Sequence, residues 1–535
     1  MINLRAAMTQ LLPCLAALAP LTLAIAAFMG TEAGPRAVAG RAIVAAAIAF
    51  GIAAAASLAA AALGAGRTPL LGGHGLGLSL QLDALAAILS VLVSFIGLVV
   101  VRYSRNYLDG DPGQVRFTRW LLLTLAAVLM LPISGNVVLL FAAWVATSLS
   151  LGKLLLFYET RPAAIRASRK KFVASRLGDA FLATAAVLLY IRFGTLEIAG
   201  LAAHARAGEG AGSAIVTIAA LLIVATAMLK SAQLPLHGWL IEVMETPTPV
   251  SALLHAGIIN AGGFLVLRLS DVLLLATPAL DVLAVVGGAT ALFGSLVMLT
   301  QTSVKVQLAY STVAQMGFML LQCGLGAFSA ALLHIVAHSL YKAHAFLSSG
   351  SIIDLARASW TPSPGGQPHA ARLILALVAV IGLALLTGLA FGMTLRSNPA
   401  QIALGSVLLM GLVHLMANAI DERPNAFVVA RAAVTAAGVA IVYFALQAGT
   451  AWLVGGSIPA SRPVDGVVPM LIAAAVVVSF AAVTVFQNQM MRRADAPFWI
   501  AAYVHLRNGL YLNTLANRLV LTVWPRNSTS APSNP

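Results

Sequence analysis

Apolar residues occur along this chain in long runs that short polar segments separate. Because a hydrocarbon layer about 30 Å thick is crossed by a helix of about 20 apolar residues, each run predicts a membrane-spanning helix. The 535 residues therefore predict an all-α polytopic membrane protein with about fifteen transmembrane helices. The predicted spans lie near residues 8–29, 41–64, 81–101, 117–133, 136–158, 175–193, 213–230 (continuing after a break), 250–269, 279–300, 304–325, 328–353, 371–395, 400–419, 425–448 and 467–489.

The segment 497–521 follows a different pattern, in which aromatic and apolar residues alternate with polar ones such as Arg507 and Arg518. Such a pattern is typical of an amphipathic helix that lies on a membrane surface or against a partner protein. We expect this segment to carry a partner interface. The interface residues predicted within it are Trp499, Tyr503, His505, Leu510 and Tyr511.

The composition excludes the soluble protein classes. Hydrophobic residues make up 60% of the chain, charged residues make up only 9%, and the mean hydropathy is +0.94. Soluble proteins carry roughly 25% charged residues, so a soluble multi-domain enzyme is excluded. The two cysteines, Cys14 and Cys323, both fall inside apolar runs and form no CxxC pair, which favours a packing role.

The positions of lysine and arginine predict the orientation, because cytoplasmic loops of membrane proteins are rich in both. The loop predicted after the fifth span is strongly cationic and is therefore expected in the cytoplasm. Alternation of the spans then places the N-terminus outside the cytoplasm, and the C-terminus with segment 497–521 in the cytoplasm. The net charge of +15 is scattered over short loops, so we interpret it as a topology signal and expect no nucleic-acid partner. The cations of that loop are Arg161, Arg166, Arg169, Lys170, Lys171 and Arg176.

The first candidate functional residue is Lys230, which ends an apolar run. An ionisable group inside a membrane span is costly and marks a functional site by default. Pro235 lacks an N–H group and cannot bond to the carbonyl of Ser231, so the helix is predicted to break beside the lysine. Broken transporter helices line water-filled cavities, where a lysine could exchange its proton. The alternative is a lysine that snorkels from a helix end to the membrane interface.

A second set of candidates lies further along the chain. His334, His338 and Lys342 recur at intervals of four and so share one helix face, whereas His344 lies off that face. Imidazole donates and accepts protons near neutral pH, so this row suits a proton pathway, together with His255 in a preceding glycine-rich helix. A zinc site at His334 and His338 is the alternative, but zinc requires three or four ligands. We predict neither a catalytic residue nor a bound metal in this chain.

Three further charged residues lie near predicted helix ends. Lys305 is close to the start of the tenth span, where it could snorkel. Arg176 and Asp179 are three residues apart and could form an ion pair on one helix face. Because a buried lysine needs a counter-charge, we predict instead that Asp179 exchanges between Arg176 and Lys230.

The motifs around these residues resemble a known family. KSAQLPLHGWL, TPTPVSALLHAG, TSVKVQLAYSTVAQMGF and HSLYKAHAFL, in that order, are similar to the antiporter-like membrane subunits of respiratory NADH dehydrogenase and of Mrp antiporters. The resemblance implies two inverted five-helix antiporter-like repeats, each with a broken helix. It also implies ion-translocation roles for the residues that match the motifs. These are Lys230, His255, Lys305, His334, His338, Lys342 and Asp179, with the helix break at Pro235.

LLHAGIINAGGFLVLR and YVHLRNGLYLNTLANRL extend the resemblance to the DabB-type membrane subunits of the Dab inorganic carbon transporters. This implies a bacterial inner-membrane location, no cofactor in this chain, and a cytoplasmic DabA-like partner that resembles a zinc carbonic anhydrase. Flow of H+ or Na+ through this chain would energise one-way hydration of CO2 to bicarbonate on that partner, which would hold the zinc. Five regions are expected. They are N-terminal spans 1–110, a first repeat 111–270, a second repeat 271–420, C-terminal spans 421–490, and an amphipathic helix with tail 491–535.

Two departures from the respiratory pattern matter. The respiratory subunits carry a glutamate after the fifth-helix tryptophan, but Trp144 is followed by Val145, and no lysine follows Lys342. A complete respiratory proton pump is therefore disfavoured. An antiporter-like subunit of a respiratory, hydrogenase or Mrp complex is the second hypothesis, and a membrane zinc hydrolase and a purely structural anchor are further alternatives.

Overall fold

The computed structural model describes residues 2–29, 34–350, 370–391, 405, 412–413, 426–460, 467–492 and 496–523. The described residues are mainly helical, and the predicted span at 400–419 lies almost wholly outside them. The helices are α1 (Ile2–Phe28), α2 (Pro35–Leu63), α3 (Ala84–Tyr107), α4 (Gln114–Ile133), α5 (Val137–Leu155), α6 (Pro162–Phe193), α7 (Ile198–Arg206), α8 (Ala214–Lys230), α9 (Gly238–Glu242), α10 (Thr248–Ala256), α11 (Ala261–Arg268), α12 (Ser270–Leu274), α13 (Thr277–Met298), α14 (Val304–Gly324), α15 (Phe328–Leu347), α16 (Ala370–Ala390), α17 (Ala426–Val454), α18 (Val467–Arg492), α19 (Pro497–Arg507) and α20 (Leu512–Val523).

Within the described ranges, 9 helical segments are long and apolar enough to cross a membrane. One of them, Thr248–Arg268, consists of α10, the 3₁₀ turn Ile258–Asn260 and α11. This confirms a multi-pass membrane protein, while the number of about fifteen spans stays a prediction. Helices α14 and α15, with 21 and 20 residues, have the length of a span but carry glutamine, histidine and lysine side chains that lower their hydropathy. The 9 spans are Ala7–Phe28, Pro35–Leu63, Ala84–Tyr107, Gln114–Ile133, Val137–Leu155, Ala164–Phe193, Thr248–Arg268, Thr277–Met298 and Ala426–Val454.

Helices α13 and α14 pack with their backbones unusually close. A Cβ atom on Gly294 would lie 2.6 Å from the backbone nitrogen of Ala314, and a Cβ on Gly287 would lie 2.6 Å from that of Leu321. Both distances are far below a normal contact, so only glycine fits, as at many helix interfaces inside membranes. This pair fixes the position of α14, which carries Lys305.

The all-α prediction needs a small correction, because two short hairpins connect α2 to α3. The turn between the inner strands is formed by His74 and Gly75, with φ of 53° and 72°, as a two-residue hairpin turn requires. Strands of two or three residues are too short for a detectable alternation of polar and apolar positions. Strand β1 (Gly66–Arg67) pairs antiparallel with β4 (Gln81–Leu82), and β2 (Leu71–Gly73) pairs antiparallel with β3 (Leu76–Leu78).

The prediction of a loop before residue 175 is wrong. Helix α6 begins at Pro162, a residue suited to the first helical turn, and runs for 32 residues. Its cations lower the local hydropathy, which hid the helix from a count of apolar runs. Lys170 and Lys171, interpreted from the sequence as loop cations, are only 7% and 5% exposed.

The prediction of one amphipathic helix over 497–521 is also wrong, because the segment forms the two helices α19 and α20. Between them Leu510 and Tyr511 adopt φ of 50° and 60°, in the left-handed region that ends a helix. Leu506 and Leu512 pack against a buried cluster formed by side chains of α13 and α14. The C-terminal segment therefore lies against the helix bundle of its own chain.

Candidate functional site

Lys230 is the last residue of α8, and α9 begins only at Gly238, with Pro235 in the irregular stretch between them. The lysine side chain is 8% exposed. Its Nζ has no hydrogen-bond partner among the described residues and lies 4.6 Å from the ring centre of Trp144. A buried ammonium held by an aromatic face does not fit a snorkelling lysine, and its protons are not committed to any acceptor.

The backbone of the broken segment is supported by neighbouring helices. The Ser231 hydroxyl donates to the carbonyl oxygen of Ile259 at 2.9 Å, and the backbone N–H of Leu234 donates to the hydroxyl of Thr290 at 3.1 Å. A Cβ on Gly262 would collide with the Ser231 hydroxyl, so the glycine permits this approach. The break after α8 is therefore joined directly to the 3₁₀ turn between α10 and α11.

Asp179 lies on α6 near the buried lysine. In this structure its carboxylate pairs with Arg176, at 2.6 Å between Oδ2 and Nη2, and its side chain is 8% exposed. The charges of Asp179 and Lys230 still attract each other, but within the described part of the chain no ion pair joins them. The predicted exchange of Asp179 between Arg176 and Lys230 stays a prediction. In the structure Asp179 is paired with Arg176.

Lys171 is a member of this site that the sequence did not reveal. Its Nζ donates to the Ser148 hydroxyl at 3.0 Å. The positive charges of Lys171 and Lys230 repel each other. A cavity of about 20 Å³ is lined by Lys171, Lys230 and Trp144, and this volume is enough for one water molecule. We name Lys171, Arg176, Asp179, Lys230 and Trp144 the lysine site.

A second buried group of side chains joins α10, α14 and α15. The Nδ1 of His255 lies 2.9 Å from the hydroxyl oxygen of Thr312, and that hydroxyl donates to the carbonyl oxygen of Leu308 at 3.0 Å. Because the hydroxyl has one proton, it accepts from Nδ1–H of His255. Nε2 of His255 has no partner within the described ranges. Lys342, which is fully buried, donates to the same carbonyl at 3.1 Å, so hydrogen bonds link His255 to Lys342 without interruption.

The imidazoles of His334 and His338 continue this group along α15, with ring centres 5.9 Å apart. The Nδ1 of His334 lies 3.1 Å from Oε1 of Gln322, and the Nε2 atoms of both histidines have no partner among the described residues. A cavity of about 470 Å³ opens beside them. The polar groups on its wall belong to Ser311, Gln315, Gln322, His334, His338, Tyr341, Tyr443 and Gln447. We name His255, Thr312, Lys342, His334 and His338 the histidine site.

The remaining candidates lie apart from both sites. Lys305 is half-buried, and its Nζ lies 3.4 Å from the hydroxyl of Thr248, outside the chain of bonds that ends at Lys342. His344 is exposed, in keeping with its position off the shared face. Over the described ranges, no three histidine, cysteine or acidic side chains come together in a way that could hold a metal ion.

Known families match this region. Residues 134–389, which contain every member of both sites, match the transmembrane family described as NADH:quinone oxidoreductase/Mrp antiporter. Residues 70–118 match the family described as the N-terminus of chain 5 of NADH-ubiquinone oxidoreductase (complex I).

Individual relatives cover more of the chain. A probable inorganic carbon transporter subunit DabB2 of Halothiobacillus neapolitanus is 41% identical over 474 residues, which are 88% of this chain and 85% of that protein. A probable subunit DabB of Hydrogenovibrio crunogenus is 45% identical over 296 residues, 55% of this chain and 57% of the relative. Among solved structures, the Mrp complex of a Dietzia species superposes with a TM-score of 0.62 at 26% identity, covering 97% of this chain and 61% of that one.

Proposed function

We propose that this chain, which belongs to the DabB-type subunits of the NADH:quinone oxidoreductase/Mrp antiporter family, conducts H+ or Na+ as the membrane subunit of an inorganic carbon transport complex. The observation that carries this proposal is Lys230, a buried lysine at the end of a broken helix for which the described residues offer no hydrogen-bond partner. A buried cation with a purely structural role would be paired with an anion or hydrogen-bond acceptor. A group that binds and releases a proton, or that repels a passing cation, must instead have N–H groups that are not hydrogen-bonded.

The partner in this proposal is a carbonic-anhydrase-like protein on the cytoplasmic side. Ion flow through this chain energises one-way hydration of CO2 to bicarbonate there, so CO2 hydration and its zinc belong to the partner, and this chain is a transporter subunit rather than an enzyme. His505, Leu510 and Tyr511 are exposed, and Trp499 and Tyr503 are half-buried, which leaves a partly apolar face for that partner.

The proposal includes the finer architecture. The chain lies in a bacterial inner membrane with its N-terminus in the periplasm and its C-terminus in the cytoplasm. About fifteen spans include two inverted five-helix repeats. The five regions are 1–110, 111–270, 271–420, 421–490 and 491–535.

The test is purification from native membranes followed by reconstitution. Mass spectrometry should identify a carbonic-anhydrase-like partner, and vesicles that hold the complex should accumulate bicarbonate only when an H+ or Na+ gradient is imposed. A protonophore or a sodium ionophore should abolish the accumulation and thereby identify the ion. Accumulation that survives both ionophores would contradict the coupling.

The second candidate is an antiporter-like subunit of a respiratory, hydrogenase or Mrp complex, which the likeness to the Mrp complex favours. It predicts that quinone-reducing, hydrogenase or Mrp subunits co-purify in place of the carbonic-anhydrase-like partner. The same mass spectrometry therefore separates the two candidates.

A further inference from the structure

The C-terminal helix α20 closes on a buried ion pair that neither site uses. The Nζ of Lys170 lies 2.8 Å from Oε1 of Glu242, and their side chains are 6% and 14% exposed. Asn513 and Asn517, one turn apart on α20, both donate to that same oxygen, at 3.1 and 2.8 Å. Lys170 also donates to the amide oxygen of Asn513 at 2.7 Å. These four side chains form a polar cluster that we name the C-terminal cluster.

The C-terminal cluster adjoins the lysine site through α6 and α9. Glu242 lies on α9, the helix that follows the break after Lys230. Lys170 directly precedes Lys171, which lines the cavity shared with Lys230. Trp239 of the same short helix α9 also lines that cavity, so the Lys170–Glu242 pair is attached to two elements of the cavity wall.

The hydrogen bonding of the C-terminal cluster is incomplete. Oε1 of Glu242 accepts from three donors, whereas Oε2 of Glu242 and Oδ1 of Asn517 are buried and have no partner in the part of the chain that the structure describes. A buried polar atom without a partner is unfavourable, so these two atoms lower the stability of the arrangement in which α20 is docked on α9. The opposite face of α20 exposes Leu515 by 54% and Leu519 by 67%. Withdrawal of α20 would remove its bonds to both members of the Lys170–Glu242 pair and let water reach the carboxylate, which weakens the pair.

One glycine shows how closely α20 is fitted. A Cβ on Gly238 would collide with the amide oxygen of Asn513. That oxygen is the far end of a flexible side chain, so an alanine at this position would displace the amide before it displaced backbone. Gly238 therefore offers a way to disturb the C-terminal cluster without changing α20 itself.

We propose that α20 is a latch, whose two asparagines hold the Lys170–Glu242 pair closed over the lysine site and whose withdrawal opens that site to cations. This inference rests on the proposed function, since it concerns ion flow through Lys230. A subunit that dissipates an H+ or Na+ gradient needs such a closure, because otherwise ions would flow through it even when the partner hydrates no CO2.

The test uses the full chain in proteoliposomes, with ion flux measured after a pH or sodium jump. Double substitution Asn513→Ala with Asn517→Ala should raise flux about tenfold over wild type, because two amide bonds to a charged pair are lost. Gly238→Ala should raise it in the same direction. Thr514→Ala, at an exposed position of the same helix, is the matched control and should not change it.

Adding Lys230→Ala to the double variant should return flux to that of empty vesicles. If wild type conducts through Lys230 and neither the double variant nor Gly238→Ala exceeds it, the latch is wrong and the proposed function stands. If wild type, the double variant and Gly238→Ala all stay at the level of Lys230→Ala, the proposed function itself is wrong and the latch is wrong with it.

Discussion

The lysine site and the histidine site differ in charge and in access to water. The lysine site contains an acid, Asp179, and a cavity of about 20 Å³. The histidine site adjoins a cavity of about 470 Å³, and the helices that form it, α10, α14 and α15, contain neither aspartate nor glutamate. The lysine site has a small cavity and a counter-charge, whereas the histidine site has a large cavity and no acidic residue on its three helices.

This difference suggests that the lysine site and the histidine site have different roles in ion transport. A buried cation is stabilised or destabilised by the approach or departure of a carboxylate, so the lysine site can act as a switch. Neutral imidazoles, hydroxyls and water pass protons along hydrogen bonds without a fixed counter-charge, so the histidine site suits conduction. Ser231, which follows Lys230, donates to the carbonyl of Ile259 in the turn that follows the helix of His255, so one hydrogen bond joins the two segments.

The largest effect is expected at Lys230. Lys230→Ala should reduce ion flux and bicarbonate accumulation to background, and Lys230→Arg should do the same because a guanidinium does not deprotonate in proteins. Lys153→Ala removes an exposed lysine of α5 and should have no effect. Normal flux in the arginine variant would rule out proton exchange at this position.

The second largest loss of flux is expected on substitution of Asp179, because this residue supplies the counter-charge for Lys230. Asp179→Asn is nearly isosteric, and loss of one partner from a buried pair costs about 3 kcal/mol, or roughly a hundredfold in rate. Assembly with the partner should be unchanged in a pull-down. Glu159→Gln removes an acid that is 67% exposed and should leave transport intact, and wild-type flux in Asp179→Asn would exclude the switch.

The histidine site should show a smaller loss that depends on the helix face. His338→Ala should lower flux about tenfold, because a positioned proton donor and acceptor is removed while water in the adjoining cavity partly replaces it. His344→Ala, at an exposed position of the same helix, should change flux by less than about twofold. Equal losses in the two variants would mean that this face of α15 is not the path.

The sequence was sufficient to predict the membrane class, the helix end at Lys230 and the shared face of α15. Each of these depends on local information, namely apolar run length, a proline, and a spacing of four residues. The sequence did not reveal Lys171, because its cationic neighbours masked the first half of α6 and made it look like a loop.

The partners of the candidate residues were also hidden, because they come from distant parts of the chain. Thr312 lies within a motif that the sequence singled out, but a hydroxyl on a helix usually bonds to its own backbone, and nothing local shows that it also accepts from His255. Likewise Glu242 and Asn513 are 271 positions apart, and only the folding of α20 onto α9 brings them together. Long-range pairs of this kind leave no periodic signal in one sequence.

The smallest effect that still tests the comparison is expected at Thr312. Thr312→Val keeps the shape but removes the hydroxyl that joins His255 to the Leu308 carbonyl, so the link to Lys342 is interrupted. Loss of one neutral hydrogen bond costs about 1 kcal/mol, which corresponds to about a fivefold decrease in flux. Thr124→Val is the matched control, because Thr124 is fully buried and its hydroxyl donates only within its own helix, to Trp120 at 2.7 Å. If the two valine variants lose the same flux, the bonds from His255 to Lys342 serve packing alone and do not position these groups for conduction along the adjoining cavity.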